Sequence, residues 1–207
     1  MKFNELLQIT KNEPVFSSAL LYAGLQSPDA LRVQISRWVK DKKLLQLRRG
    51  LYAVSPDYSG KTPDLFVVAN TIMSASYVSC QTALAWHGVI PDISNSITSV
   101  TSGRSSIVTN PLGTFIYRHV KPELLWGYDS TKVPSADARR IATPEKALLD
   151  LVYLEPNGDS LSYLKQLRLS DEGISLSILN SIAKKWGKKK IIRATRNISS
   201  LLEGKAL

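Results

Sequence analysis

Apolar residues in the first fifty positions return every three to four residues, then every two. Phe3, Leu6 and Leu7 share a helical face. In VFSSALLYAG (15–24), Val15, Phe16, Ala19, Leu20 and Ala23 fall on one side of a second helix, which Gly24 ends. The stretch SPDALRVQISRWVKDKKL (27–44) opens with Ser27 as N-cap, Pro28 at the first helical position and Asp29 in the first turn. Its apolar residues Leu31, Ile35, Trp38 and Val39 follow the i, i+4, i+7, i+8 spacing of a core-facing stripe. From residue 44 the period drops to two. LLQLRRGLYAV (44–54) predicts a hairpin with Leu45, Leu47, Leu51 and Ala53 on its buried face and Arg49-Gly50 at its tip.

SPDYSGKTP (55–63) is rich in turn residues and reads as a linker. Beyond it, LFVVANTIM (65–73) reads as helix, YVSC (77–80) as strand, and TALAWHGV (82–89) as helix ending at Gly88. Residues 95–120 are rich in Ser, Thr, Val and Ile with turns between, which predicts antiparallel strands. ARRIATPEKALLDLVYL (138–154) reads as a short strand and then a helix, with Thr143 as N-cap and Pro144 behind it. Two or three helices follow from residue 161. The expected fold is α+β: a winged helix-turn-helix over 1–54, a linker over 55–63, and a mixed α/β domain over 64–207 with a short antiparallel sheet and C-terminal helices.

Charge sharpens this outline. The net charge is +10, carried by the two ends of the chain. Residues 1–55 hold 9 Lys and Arg against 4 Asp and Glu, residues 56–160 hold 8 against 10, and residues 161–207 hold 10 against 3. Basic ends around a mildly acidic middle favour polyanionic partners. No apolar run approaches the ~18–20 residues that span a bilayer. Asn4, Glu5 and Gln8 fall where a signal peptide needs an apolar core, and a lone Cys80 suits a reducing compartment, so a cytoplasmic protein is expected.

Three helices and a hairpin in about 55 residues are the plan of a winged helix-turn-helix. On the third helix, the face opposite the apolar stripe carries Val33, Ser36, Arg37 and Lys40, with Arg32 and Gln34 on its flanks. These are side-chain types that read base edges in a major groove. Lys40, Lys42 and Lys43 follow at the C-terminal end, where phosphates and the helix dipole both favour cations. Arg48 and Arg49 on the wing complete the set, one for a phosphate and Arg49 for the minor groove.

Three motifs in order, RRGLY, YVSCQTALAWHGV and ATPEKALLDLVY, resemble the AbiEi antitoxin family of transcriptional regulators over residues 1 to about 155. The resemblance implies a repressor that binds operator DNA, in the form of inverted repeats. It further implies autoregulation of an operon shared with a nucleotidyltransferase toxin, which the protein antagonises. No enzyme activity, cofactor or metal is expected.

Other chemistry finds less support. Cys80 and His87 lie seven residues apart, about 10 Å along a helix, too far to pair as nucleophile and base. Glu145 suits its helix N-terminus, and Lys146 with Asp150 reads as a surface pair. Pro91-Asp92 and Glu203-Gly204-Lys205 stand too far apart in sequence to suggest a nuclease. The basic tail residues Lys188, Lys189, Lys190, Arg193 and Arg196 allow three readings: a solvated helix face, an auxiliary DNA contact, or a docking surface for an acidic partner. A second function class also stays open, in which the N-terminal unit is a protein-interaction module and residues 64–207 hold the activity.

Overall fold

The computed structural model describes residues 1–11, 15–22, 29–92, 94–133 and 136–204, with backbone alone at 131–133 and 136–138. Its N-terminal elements are α1 (Phe3–Ile9), β1 (Val15–Ser17), α2 (Ser18–Tyr22), α3 (Asp29–Lys40), β2 (Leu44–Arg48) and β3 (Leu51–Val54). The expected helix over 15–24 therefore needs correction. Val15–Ser17 is a strand paired antiparallel to β3, with Phe16 opposite Tyr52. A β-branched residue and an aromatic suit the open edge of a hairpin, and helical spacing over so short a window could not exclude that. Leu20 turns outward, 57% exposed, while Leu21 is buried in its place. Ala23, Gly24, Ser27 and Pro28 lie outside the described residues.

The apolar stripe of α3 behaves as its spacing demands. Leu31, Ile35 and Trp38 are buried with Leu6, Phe16, Leu21, Leu44 and Val54 in a small N-terminal core. Burying one such aliphatic side chain is worth about 1.5–3 kcal/mol. Phe3 closes this core by packing edge-on against Trp38, at 5.3 Å between ring centres. The expected linker holds a helical turn, α4 (Pro56–Ser59), whose Tyr58 packs edge-on against the other side of Phe3 at 5.3 Å.

The remaining elements are α5 (Leu65–Ile72), β4 (Ser76–Val78), α6 (Cys80–Trp86), β5 (Ser96–Thr101), β6 (Ser106–Asn110) and β7 (Gly113–His119), then β8 (Tyr128–Val133), β9 (Ala136–Ala142), α7 (Pro144–Leu154), α8 (Leu161–Gln166), α9 (Leu176–Trp186) and α10 (Lys189–Leu202). Their strands form a six-stranded sheet in the order β6-β7-β5-β4-β9-β8. The short antiparallel sheet expected from 95–120 is corrected to a larger mixed one. β6 and β7 form an antiparallel hairpin, but β7 lies parallel to β5, with Ser99 opposite Tyr117. β4 and β9 are also parallel. Alternation of apolar and polar residues is the same in either direction, so pattern alone could not tell them apart.

Helix caps set the layers around this sheet. The Asp64 side chain accepts hydrogen bonds from the Phe66 and Val67 amides and starts α5, and Thr143 starts α7 as its TPEK motif predicts. Tyr117 and Val78 share a face with Ser99, while Tyr77 points the other way. The Tyr117 hydroxyl donates to the Ala69 carbonyl of α5, and the Tyr77 hydroxyl donates to Asp150 of α7. Helices thus cover both faces. The hairpin β2–β3 joins the two units, since Leu47, Leu51 and Ala53 are buried in the larger core.

Candidate nucleic-acid interface

The outer face of α3 is built by elimination. With Leu31, Ile35 and Trp38 turned inward, Arg32, Val33, Ser36, Arg37 and Lys40 are exposed and Gln34 is half-buried. Val33 is 52% exposed, which leaves a bare isopropyl group among polar neighbours. Arg32 has two partners: Asp29 accepts from its Nη1 at 3.0 Å, and its guanidinium carbon lies 5.6 Å from the centre of the Tyr22 ring. Arg37 and Lys40 occupy the last turn, where the helix dipole favours them.

The end of α3 carries an uncommon feature. The Lys43 amide donates back to the Trp38 carbonyl at 2.9 Å, and Lys42 between them takes a left-handed backbone, φ 56°. Such a helix end ordinarily holds glycine, because a side chain there costs about 1–2 kcal/mol. Lysine occupies it instead, exposed, at the corner leading into the hairpin. Lys43 is differently placed. Its ammonium lies 5.3 Å from the Phe3 ring and 5.9 Å from Tyr58, braced between α1 and α4.

On the hairpin the two arginines face opposite ways, as neighbours on a strand do, and an irregularity in β2 decides which face each takes. Pairing shifts between Gln46 and Arg48, so Leu47 is an extra residue and Arg48 stands opposite Leu51. A bulge of this kind brings two successive side chains toward the same side. Leu47 and Arg48 therefore both turn toward the six-stranded sheet, Leu47 buried and Arg48 exposed. Burial pushes the Tyr117 phenol well above its ordinary range, and the nearby Arg48 charge works against that push.

Arg49 faces the other way, into an open cleft of about 510 Å³ between α3 and the hairpin. Arg32, Ser36 and Val39 form the helical wall, and Gln46, Arg49 and Tyr52 form the opposite one. Gly50 makes the turn with φ 78°, and its carbonyl accepts a hydrogen bond from the Ser18 amide at 2.9 Å. That contact ties the tip of the hairpin to α2. Among the residues expected from sequence, the structure brings Arg32, Ser36 and Arg49 together around this cleft. Gln46, Tyr22 and Tyr52 join them unforeseen, because each reads as ordinary strand or helix surface. Ser27 lies outside the described residues.

The basic tail divides in two. Lys190 donates to the Tyr153 and Glu155 carbonyls at the end of α7, and Arg193 pairs with Asp159. Burial pushes the Asp159 carboxyl up, but the Arg193 hydrogen bond and charge, helped by a backbone hydrogen bond and Lys190, bring it below its ordinary value. Lys188, Lys189 and Arg196 remain exposed on α10.

The second concentration of chemistry is sealed inside. Lys146 and Asp150 are fully buried, which corrects the expected surface pair. Tyr77 and Ser79 donate to Asp150 at 2.9 and 2.8 Å, and Lys146 donates to both Asp150 and the Tyr77 oxygen. The ammonium is boxed by the rings of Trp186, Tyr77 and Trp126 at 4.6, 5.2 and 5.3 Å. Burial pulls Lys146 down and pushes Asp150 up, each opposed by the other's charge. Burial, then Asp150, also drives the Cys80 thiol well above its ordinary range, which keeps it a thiol and a weak nucleophile. His87 is turned to the Ala142 carbonyl at 2.9 Å. Glu145 is buried as well and accepts from the Ser175 amide at 2.9 Å, joining α7 to the start of α9.

Among the described residues no helix is long and apolar enough to cross a membrane. Compared with known proteins, the chain matches no family model and no curated protein.

Proposed function

We propose that residues 1–54 act as a winged helix that binds duplex DNA, with α3 in the major groove and the hairpin as the wing. The observation that carries this reading is the cleft between α3 and the hairpin, with Arg32 and Ser36 on one wall and Arg49 on the other. An α-helix with its side chains is about 10–12 Å across and fits a groove about 12 Å wide. Arg37, Gln34, Ser36 and Val33 supply donors and an apolar contact for base edges. Lys40 and Lys42 supply phosphate contacts beside the cleft, and Arg48, exposed on the opposite face of the wing, is assigned a phosphate outside it. The strained lysine at 42 supports this assignment, since its charge is retained where glycine would sit without cost.

The role that follows is a sequence-specific repressor in the cytoplasm. Autoregulation of a toxin operon, and antagonism of a nucleotidyltransferase toxin through residues 64–207, rest on the motif resemblance. The test is titration of the full chain with DNA from upstream of its own gene at several salt concentrations. Sequence-selective binding with a steep salt slope is expected. Binding that ignores sequence, or none at all, would leave the N-terminal unit as a protein-interaction module. Rescue of cells from the toxin should need residues 64–207.

A further inference from the structure

We infer that Asn110, a residue of the six-stranded sheet, positions the hairpin that forms one wall of the proposed DNA interface. Its functional consequence rests on the DNA-binding reading above, while its structural basis does not. The bulge in β2 interrupts the ladder at Leu47, and an interrupted ladder leaves backbone groups to be satisfied from elsewhere. The Asn110 amide group donates to the Leu47 carbonyl at 3.3 Å, from the end of edge strand β6. Its other end is fixed too, because its Oδ1 accepts from the Leu112 amide at 2.8 Å within the turn into β7. Asn110 thus links the hydrogen-bonded turn of one sheet to the irregular point of the other.

Apolar contacts extend the same seam. Leu47, Leu51 and Ala53 are 1%, 4% and 0% exposed and lie within the larger core, so one face of the hairpin belongs to the six-stranded unit. The tip is held separately by Ser18 of α2. The hairpin is therefore gripped at its tip by the N-terminal unit and at its bulge by the C-terminal one. The position of Arg49 relative to α3 depends on both grips. DNA binding and the state of the β6–β7 turn are coupled through this single element.

The discriminating variant is Asn110→Asp. The carboxylate still accepts from the Leu112 amide, which preserves the turn, but it has no proton to donate to the Leu47 carbonyl. Hydrogen exchange of the free protein should quicken at residues 44–54 and stay unchanged in α7 and β5. DNA affinity should fall about threefold to tenfold, the range of one lost hydrogen bond. Asn110→Ser, which retains a short acceptor for the turn and withdraws the long arm, should behave alike and guards against misfolding of the aspartate variant. Unchanged exchange in the hairpin overturns the inference, whatever the DNA result. Faster exchange spread evenly over the chain also overturns it, since the residue would then be a general stabiliser. Faster hairpin exchange with unaltered affinity shows that the grip does not position the wing. Should the wild type bind no DNA, the functional reading falls, and local loosening of the hairpin alone still supports the clasp.

Discussion

Asp29 with Arg32 on α3, and Lys146 with Asp150 on α7, are both acid–base pairs that share a helical face. In sequence they differ by one residue of spacing. In the structure the side chains of Asp29 and Arg32 are 78% and 61% exposed, and the second pair is fully buried. The exposed pair sits on a helix face that keeps its core contacts behind it. The buried pair has given up water altogether and is repaid by Tyr77, Ser79 and three aromatic rings. Exposed charge is weakly committed and free to meet a partner. Buried charge is fully committed to the fold.

Breaking the buried pair should have the largest effect. Asp150→Ala leaves an ammonium in an apolar box without its carboxylate, and such a loss costs about 3–5 kcal/mol. Denaturant unfolding should show that loss. Replacing both partners at once, as Lys146→Met with Asp150→Leu, should recover much of it, because no lone charge then remains. A single variant as stable as the wild type would mean that the pair is not held as tightly as its burial says.

The exposed side is tested next, through DNA binding. Arg37→Ala should weaken binding to the preferred sequence by about 1–3 kcal/mol and relax selectivity at one position if the guanidinium holds a base edge. Arg49→Ala should cost most on A·T-rich flanks, where a narrow minor groove concentrates negative potential. Arg48→Ala should lower affinity for all sequences alike and reduce the salt slope by about one unit. None of the three should lower the unfolding midpoint appreciably, in contrast to Asp150→Ala. Equal and sequence-blind losses at all three arginines would reduce the face to a general polyanion surface.

The same contrast explains what the sequence disclosed. The stripe of α3, the hairpin and the Thr143 cap of α7 were legible because period and capping chemistry are local properties. The exposed face of α3 followed from the stripe by subtraction. The burial of Lys146 did not, since i, i+4 spacing reports that two side chains can meet and says nothing of what covers them. Trp126 and Trp186 cover them, from segments 20 and 40 residues away along the chain. The bulge at Leu47 was hidden for a related reason. Two arginines before a glycine fit a regular hairpin equally well, and the shift in register shows only when the apolar face must serve a second core. The strand at Val15–Ser17 likewise exists because the hairpin offers it an edge.

Lys42 lies between the two extremes, because its side chain is exposed while its backbone is strained. Lys42→Gly should raise stability by up to ~1 kcal/mol by removing the penalty of a side chain at positive φ. It should also weaken DNA binding by removing a phosphate contact. The two effects have opposite sign, so a thermal melt and a binding titration on the same preparation check them together. A variant that gains stability without losing affinity would show that the lysine is a tolerated accident of the helix end.

The smallest effect should come from the exposed pair itself. Asp29→Asn removes the charge partner of Arg32 while keeping the shape of the side chain. An exposed ion pair of this kind contributes about 0.2–1 kcal/mol, and loss of a favourable acid in the first turn adds a few tenths. Stability should therefore fall by about 0.5 kcal/mol, close to the limit of a careful melt and far below the change at Asp150. The binding result carries more information. Asp29 holds Arg32 at 3.0 Å and itself places a negative charge beside the cleft. Freed from it, Arg32 can still rest on the Tyr22 ring, 5.6 Å away, and turn its donors toward a phosphate. Affinity should rise slightly and the salt slope should steepen, since one more cation then neutralises the backbone. If affinity falls instead, Asp29 is holding Arg32 in the pose that DNA needs, and even an exposed pair is committed to its site.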